Sequence, residues 1–243
     1  MKKLILTTAA LAFGASLAMA DNHGGTVRLG TEGAYPPYNY LNDDGEVAGF
    51  ERVLGDELCE RAELDCEWVT NDWDSIIPNL VSGNYDAIIA GMSITDERKE
   101  VIDFTDPYTQ PDPSAYMALS ADADIENGVI AAQTGTIQAS HIANSDATLL
   151  EFATPDETVA AVRNGEADAV LADKAYLEPM VSESGGDLVW AGDDVLLGGG
   201  IGLGIRKSDP ELKEKFNAAI QSMKDDGTLN ELIKEWLPGS ATF

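Results

Sequence analysis

Beyond its first two dozen residues the chain alternates short apolar runs with segments whose apolar positions recur every three or four residues, a pattern that predicts strands and helices in alternation. Val27 to Gly30 reads as a first strand, and Thr31 to Asn39, rich in Gly, Pro and Tyr, as the loop beyond its carboxyl end. Asn42 to Gly45 is a turn. From Phe50, the spacing of Val53, Leu54, Leu58 and Ala62 puts them on one helical face, and Cys66 to Val69 predicts a short strand. Asp72-Trp73-Asp74 leads into a helix carrying Ile76, Ile77, Leu80 and Val81, with Asp74 as its N-cap and Pro78 tolerated because it falls near the first turn. Tyr85 to Ala90 lacks polar alternation in its second half, which suits a central parallel strand covered on both faces. Gly91 to Thr95 then sits past a strand's carboxyl end, where open α/β sheets place ligands, and Asp96 to Lys99 predicts a helical turn.

After Asp106-Pro107-Tyr108 the segment Gln110 to Ser114 reads as a connector. A second α/β region follows: strands at Tyr116–Leu119, Val129–Ala132, Leu149–Phe152 and Ala169–Leu171, with helices from Thr136, from Asp156 to Asn164 and from Lys174 to Val181. Leu80 to Ile88 and Val162 to Val170 share one grammar, a helix stopped by Gly and then Asp-Ala entering an apolar strand, which favours two similar lobes. The glycine-rich run from Gly198 to Ile205 holds an interrupted strand and reads as a hinge or strand crossing. In the tail, Leu212, Phe216, Ala219, Ile220 and Met223 form one helical stripe and Leu229, Leu232, Ile233, Trp236 and Leu237 a second, both read as packing faces.

The N-terminus changes where this fold is expected to work. Lys2 and Lys3, an apolar stretch from Leu4 to Met19 and the small residues Ala18 and Ala20 form the three parts of a cleaved signal peptide, residues 1–20. Gly14 and Ser16 break the stretch and no basic stop follows, so it predicts a leader rather than an anchor. Export in turn governs the two cysteines, Cys59 and Cys66. They are spaced for neither a CxxC redox pair nor a metal cluster, and in an oxidising compartment they are expected to form a structural disulfide. With 43 acidic against 15 basic residues the net charge is −28, a field that repels phosphate backbones and anionic membranes and favours a cationic partner.

No HExxH, GxSxG or GxxxxGK[ST] motif is present, and two histidines are too few for a hydrolase cluster. What remains is a set of polar and aromatic groups in loops after strands. Arg98, Ser93 and the start of the helical turn at Asp96 suit a carboxylate, since a guanidinium offers a rigid donor fork. Asp173, past the corresponding strand of the second half, suits an ammonium, so that the pair reads both ends of a zwitterion. A surface salt bridge to Asp96 or Glu97 is the plainer role for Arg98, and a helix cap for Asp173. Tyr35, Tyr38 and Trp73 are candidates to enclose the ligand body, and Glu32 to meet a cationic side chain.

These features fall in stretches that resemble a known family. Gly30 to Pro37, Glu57-Leu58-Cys59 with Cys66, Gly91 to Arg98, Asp103 to Tyr108 and Gln133 to Gln138 occur in the order found in the periplasmic polar amino-acid-binding proteins of ATP-driven importers, which include lysine/arginine/ornithine, histidine and opine binders. The resemblance implies an α/β, type II periplasmic binding-protein fold of two lobes joined by two hinge strands: residues 21–111 with 205–243, and 112–204. It implies that Arg98 holds the ligand carboxylate with Ser93 and the Gly135–Thr136 region, that Asp173 holds the amino group, that Tyr35 and Trp73 enclose the side chain, and that Glu32 faces a distal positive group. Gly91 and Met92 belong to the same ligand loop, where Gly91 replaces a frequent serine, and Glu32 replaces a shorter aspartate. The Thr-Glu-Gly-Ala-Tyr form with Trp73 is also similar to binders of arginine-derived opines. The expected protein is a monomer in the periplasm that needs no cofactor or metal, binds no nucleic acid and works with a membrane permease of the ABC type. Histidine or glutamine as ligand, a cyclohexadienyl-dehydratase-like enzyme and a sensor lobe are the alternatives.

Overall fold

The computed structural model describes residues 25–243, so the expected signal peptide lies outside the described residues. Strand β1 (Val27–Thr31) is followed by β2 (Ala34–Tyr35), β3 (Asn39–Leu41) and β4 (Val47–Ala48), which pair antiparallel as a small sheet of their own. Next come α1 (Phe50–Arg61), β5 (Cys66–Thr70), α2 (Ile76–Val81), β6 (Ala87–Ile88), α3 (Asp96–Val101) and β7 (Asp103–Phe104). A second group runs through β8 (Ser114–Ala118), β9 (Val129–Gln133), α4 (Ile137–Ala143), β10 (Thr148–Phe152), α5 (Pro155–Arg163), β11 (Ala169–Asp173), α6 (Lys174–Glu183) and β12 (Val189–Val195). The chain then returns with β13 (Gly204–Ile205), α7 (Pro210–Asp226) and α8 (Thr228–Trp236).

Two five-stranded sheets result, ordered β5-β1-β6-β13-β7 and β10-β9-β11-β8-β12. In each, three parallel strands are followed by one that runs antiparallel to both neighbours. The sequence echo has a structural cause. Asp86 and Asp168, the acids of the two Asp-Ala phrases, enter corresponding central strands and do the same work. Asp86 accepts from the backbone N–H of Arg28 at 3.0 Å, and Asp168 from that of Val129 at 2.8 Å. Each thereby ties its own strand to the adjacent parallel one where that strand begins.

The stripes of the tail pack where their spacing directs. Phe216, Ile220, Leu229 and Ile233 are fully buried in one core with Leu54 and Leu58 of α1. Truncating a side chain such as Phe216 to alanine costs about 3–5 kcal/mol in such surroundings. A disulfide joins Cys59 of α1 to Cys66 of β5, clamping the end of the helix to the sheet's edge. The two crossings between lobes are bonded to each other: Thr105 N to Leu203 O at 3.0 Å, Leu203 N to Thr105 Oγ1 at 2.9 Å and Ile201 N to Thr109 Oγ1 at 3.1 Å.

Some local readings give way to tertiary context. Asp74 is not an N-cap; it lies inside a 3-10 turn, Trp73–Ser75, and α2 starts after Ser75 with no side-chain cap. The strand expected over Tyr85–Ala90 narrows to Ala87–Ile88 in the ladder, although Ile89 N still bonds Gly30 O. The loop expected over Thr31–Asn39 contains β2, and β12 was hidden by the Gly-Asp-Asp in an edge strand whose register shifts between Ala191 and Val195.

Candidate functional site

A narrow cleft lies between the two lobes, at the carboxyl ends of β1, β9 and β11. Its wall includes Glu32, Tyr35, Trp73, Gly91, Ser93 and Arg98 from the first half of the chain and Gln133, Thr136, Gln138 and Asp173 from the second.

Arg98 reaches the cleft because Thr95 caps α3, its hydroxyl accepting from Arg98 N at 3.1 Å. The guanidinium donates to the carbonyl oxygens of Ser93 at 2.9 Å and Gly135 at 3.4 Å and lies over the Trp73 ring at 5.3 Å. No carboxylate stands within ion-pairing distance among the described residues, so the plain surface salt bridge to Asp96 or Glu97 is not formed. Burial lowers its pKa to about 10, with the nearby charges of Asp173 and Glu97 opposing, so it stays cationic at neutral pH. Here is a desolvated cation whose fork is bonded only to neutral oxygens.

Asp173 ends β11 and precedes α6, yet its side chain caps nothing. Instead it accepts from Tyr35 Oη at 3.0 Å and from Gln138 Nε2 at 2.9 Å. Burial pushes its pKa up to about 6, resisted by the Tyr35 bond and the positive charge of Arg98. Glu32, one residue past β1, accepts from Gln133 Nε2 at 2.6 Å across the cleft. Its pKa is pushed up to about 7, first by burial, against the Gln133 bond, and then by the like charges of Asp72 and Asp156.

The aromatic wall is layered. Tyr35 stacks on Tyr176 of α6 with centroids 4.3 Å apart and planes at 12°. Tyr38, offered by the sequence as a further candidate, is fully buried behind Tyr35 and packs edge-on to Phe50, away from the cleft. Gly91 lines the cleft with φ of 61°, a conformation that favours glycine, and a Cβ there would lie 3.6 Å from the Tyr35 ring. Met92 points the other way into the core. Gly135 contributes its carbonyl to Arg98 rather than a cleft surface. Thr136 faces the cleft, but its hydroxyl is occupied, donating to Gln133 O at 2.7 Å and accepting from Ala139 N as the cap of α4.

Gln133, Gln138 and Tyr176 were absent from the sequence-based candidates. Gln133 had a usable signal, since it ends β9 just as Asp173 ends the neighbouring β11, but an amide alone announces no chemistry.

Comparison with known proteins places the chain in a family. Residues 27–239 match the family model of bacterial extracellular solute-binding proteins, family 3. The fold superposes with a TM-score of 0.88 on the crystal structure of a periplasmic His/Glu/Gln/Arg/opine family-binding protein from Silicibacter pomeroyi in complex with lysine, 69% identical, covering 89% of this chain and all of that one. An L-arginine-binding protein of Pseudomonas aeruginosa is 34% identical over 85% of both chains. ABC transporter arginine-binding protein 1 of Escherichia coli is 30% identical over 98% of this chain and all of its own length. These are binders of small molecules rather than enzymes, and this chain belongs to their family, the bacterial extracellular solute-binding proteins of family 3.

Proposed function

We propose that this protein captures a cationic amino acid, namely arginine, lysine or ornithine, or an arginine-derived opine, in the periplasm, and presents it to the permease of an ABC importer. One observation carries the reading: a single cleft holds one cation, Arg98, and two carboxylates, Asp173 and Glu32, which is the charge complement of a ligand with one anionic and two cationic ends. In this reading Arg98 and the Ser93 region take the ligand carboxylate, Asp173 its α-ammonium and Glu32 its distal cation. Tyr35 and Trp73 flank the aliphatic stem, and the faces of the rings favour a passing positive charge.

The relatives support the ligand class, since one was crystallised with lysine and others are named for arginine. The lobes, taken as residues 21–111 with 205–243 and 112–204, close on the ligand because only the closed form brings Arg98 and Asp173 to it together, and the closed surface is what the permease reads. Export through the leader at residues 1–20 places the protein there as a monomer. Calorimetric titration with arginine, lysine, ornithine, octopine, nopaline, histidine and glutamine tests the reading. Tight binding of the cationic members is expected; tight binding of glutamine with no heat from arginine would overturn it.

A further inference from the structure

Glu51, the second residue of α1, is completely buried and faces no cation among the described residues. A charge so placed is costly unless hydrogen bonds replace its lost water. Three donors converge on it: Gly91 N at 2.6 Å and the Tyr108 hydroxyl on Oε1, and Asn39 Nδ2 at 2.7 Å on Oε2. Burial raises its pKa and these three donors oppose the rise. Asn39, also fully buried, turns its own Oδ1 to Gly33 N at 2.7 Å. Its place in β3 is directly opposite Tyr35 in the ladder.

The two ends of this chain of bonds are the two loops that form the first lobe's side of the cleft. Gly33 follows Glu32 and precedes the strand bearing Tyr35; Gly91 opens the loop that carries Ser93 and supplies the carbonyl on which Arg98 rests. Every group facing Glu51 is a donor, so only an acceptor-only carboxylate satisfies all of them. A glutamine of the same length would turn an N–H against one of the donors, and an apolar residue would leave the buried Gly91 N–H unmatched. We infer that Glu51 and Asn39 form a buried tether that positions both ligand loops of the first lobe, fixing the spacing between Glu32 and Arg98 without touching a ligand. This rests on the cleft being the cationic amino-acid site.

The test compares three variants of one network. Asn39→Ala frees the Gly33 arm and Glu51→Gln disturbs both arms, and each is expected to weaken arginine and lysine about ten- to hundredfold, as loss of bonds to a charged group does, with the preference between the two ligands unchanged. Tyr108→Phe removes a donor from the same carboxylate but frees neither loop, and is expected to lower Tm while keeping affinity within about twofold. In ¹H–¹⁵N spectra of the ligand-free protein, the Gly91 amide proton is expected to move upfield in Glu51→Gln and the Gly33 amide proton in Asn39→Ala. Equal affinity losses in Tyr108→Phe and Asn39→Ala would reduce the network to general packing and overturn the inference, as would glycine resonances that stay in place. If Glu51→Gln does not fold, Asn39→Ala against Tyr108→Phe decides. Should the unaltered protein give no heat with arginine or lysine, the ligand reading fails, while the glycine resonances still decide the tether.

Discussion

Tyr35 Oη, on the first lobe, donates a 3.0 Å hydrogen bond to Asp173 Oδ2 on the second, and accepts from Asp173 N at 3.2 Å. The phenol therefore does more than cover an aliphatic stem: it stabilises the ionised form of the carboxylate proposed to hold the ligand ammonium and latches the lobes at the same point. Removing the hydroxyl in Tyr35→Phe keeps the stack on Tyr176 but takes one donor from a buried charge. Bonds to charged groups are worth about 1.5–3 kcal/mol, so the expected loss of affinity at neutral pH is about ten- to hundredfold. Calorimetry checks it; an unchanged Kd would make Tyr35 a wall and nothing more.

Arg98 offers a sharper division between charge and shape. Arg98→Lys retains the positive charge, but an ammonium lacks the planar fork that bonds two carbonyls while presenting donors to a carboxylate, and it stacks less well on Trp73. The expected order of affinity is unaltered protein, then lysine, then alanine, with Arg98→Lys weaker by about tenfold or more and Arg98→Ala showing no measurable binding of any α-amino acid. Equal Kd values for the lysine variant and the parent would remove the fork from the argument.

The pH dependence follows from two raised carboxyls, Asp173 at about 6 and Glu32 at about 7. Their ordinary values are 3.8 and 4.5, so the ligand-free folded chain holds protons that the unfolded chain has released. Its stability therefore falls as pH rises from about 4 to 7. A cationic ligand needs both groups ionised, which gives its affinity the opposite slope: it rises with pH by about tenfold per unit between roughly 6 and 7, more steeply below 6, and levels off above 7. Binding at pH 6 accordingly releases protons, measurable by calorimetry in buffers of different ionisation heat. Glu32→Gln is expected to cut that release and to weaken cationic ligands selectively. A flat profile from pH 5 to 8 would reject both carboxyls as ligand contacts.

The disulfide separates stability from function. It closes a short loop between Cys59 and Cys66 at the outer edge of the first sheet, far along the chain from any cleft residue of the second lobe. Cross-linking a loop of this length removes about 2–3 kcal/mol of unfolded-state entropy in the chain model. Replacing both cysteines by serine is expected to lower the free energy of unfolding by that amount and to leave ligand affinity unchanged within about twofold. Denaturant titration alongside calorimetry tells the two apart.

How much of this was legible depended on whether the signal was local. The stripe from Leu212 to Met223 announces its helix because the core it meets needs only the 3.6-residue spacing, and the Asp-Ala phrases at Asp86 and Asp168 announce a strand entry, though not the backbone N–H groups of Arg28 and Val129 that the two acids bind from afar. Arg98, Asp173 and Glu32 were legible as charged groups at strand ends. Gln133 was not: its meaning comes from a carboxylate 101 positions away, brought to it by the pairing of lobes. Glu51 reads locally as an acid in a helix's first turn, where solvent is its usual neighbour, and only the arrival of Gly91 and Tyr108 from 40 and 57 positions on makes it an interior acceptor.

Gly198 supplies a test of the cleft wall with a built-in control. It adopts φ of 74°, and a Cβ at this position would meet Ser93 Cβ at 2.9 Å on the first lobe and Ile137 Cδ1 at 3.3 Å on the second. Alanine there is strained in two ways: by its backbone conformation, at a cost of about 1–2 kcal/mol, and by wedging between the lobes at the rim of the cleft. Gly165 has the same φ of 74° with nothing within 4 Å of its Cβ position, so Gly165→Ala incurs only the first cost. Gly198→Ala is therefore expected to lose more stability than Gly165→Ala in denaturant titrations. Only Gly198→Ala is expected to bind its ligand more weakly, because the added methyl presses on Ser93 and Ile137, which line the cleft. Equal affinities for the two variants would mean that the Gly198 contact does not bear on the cleft.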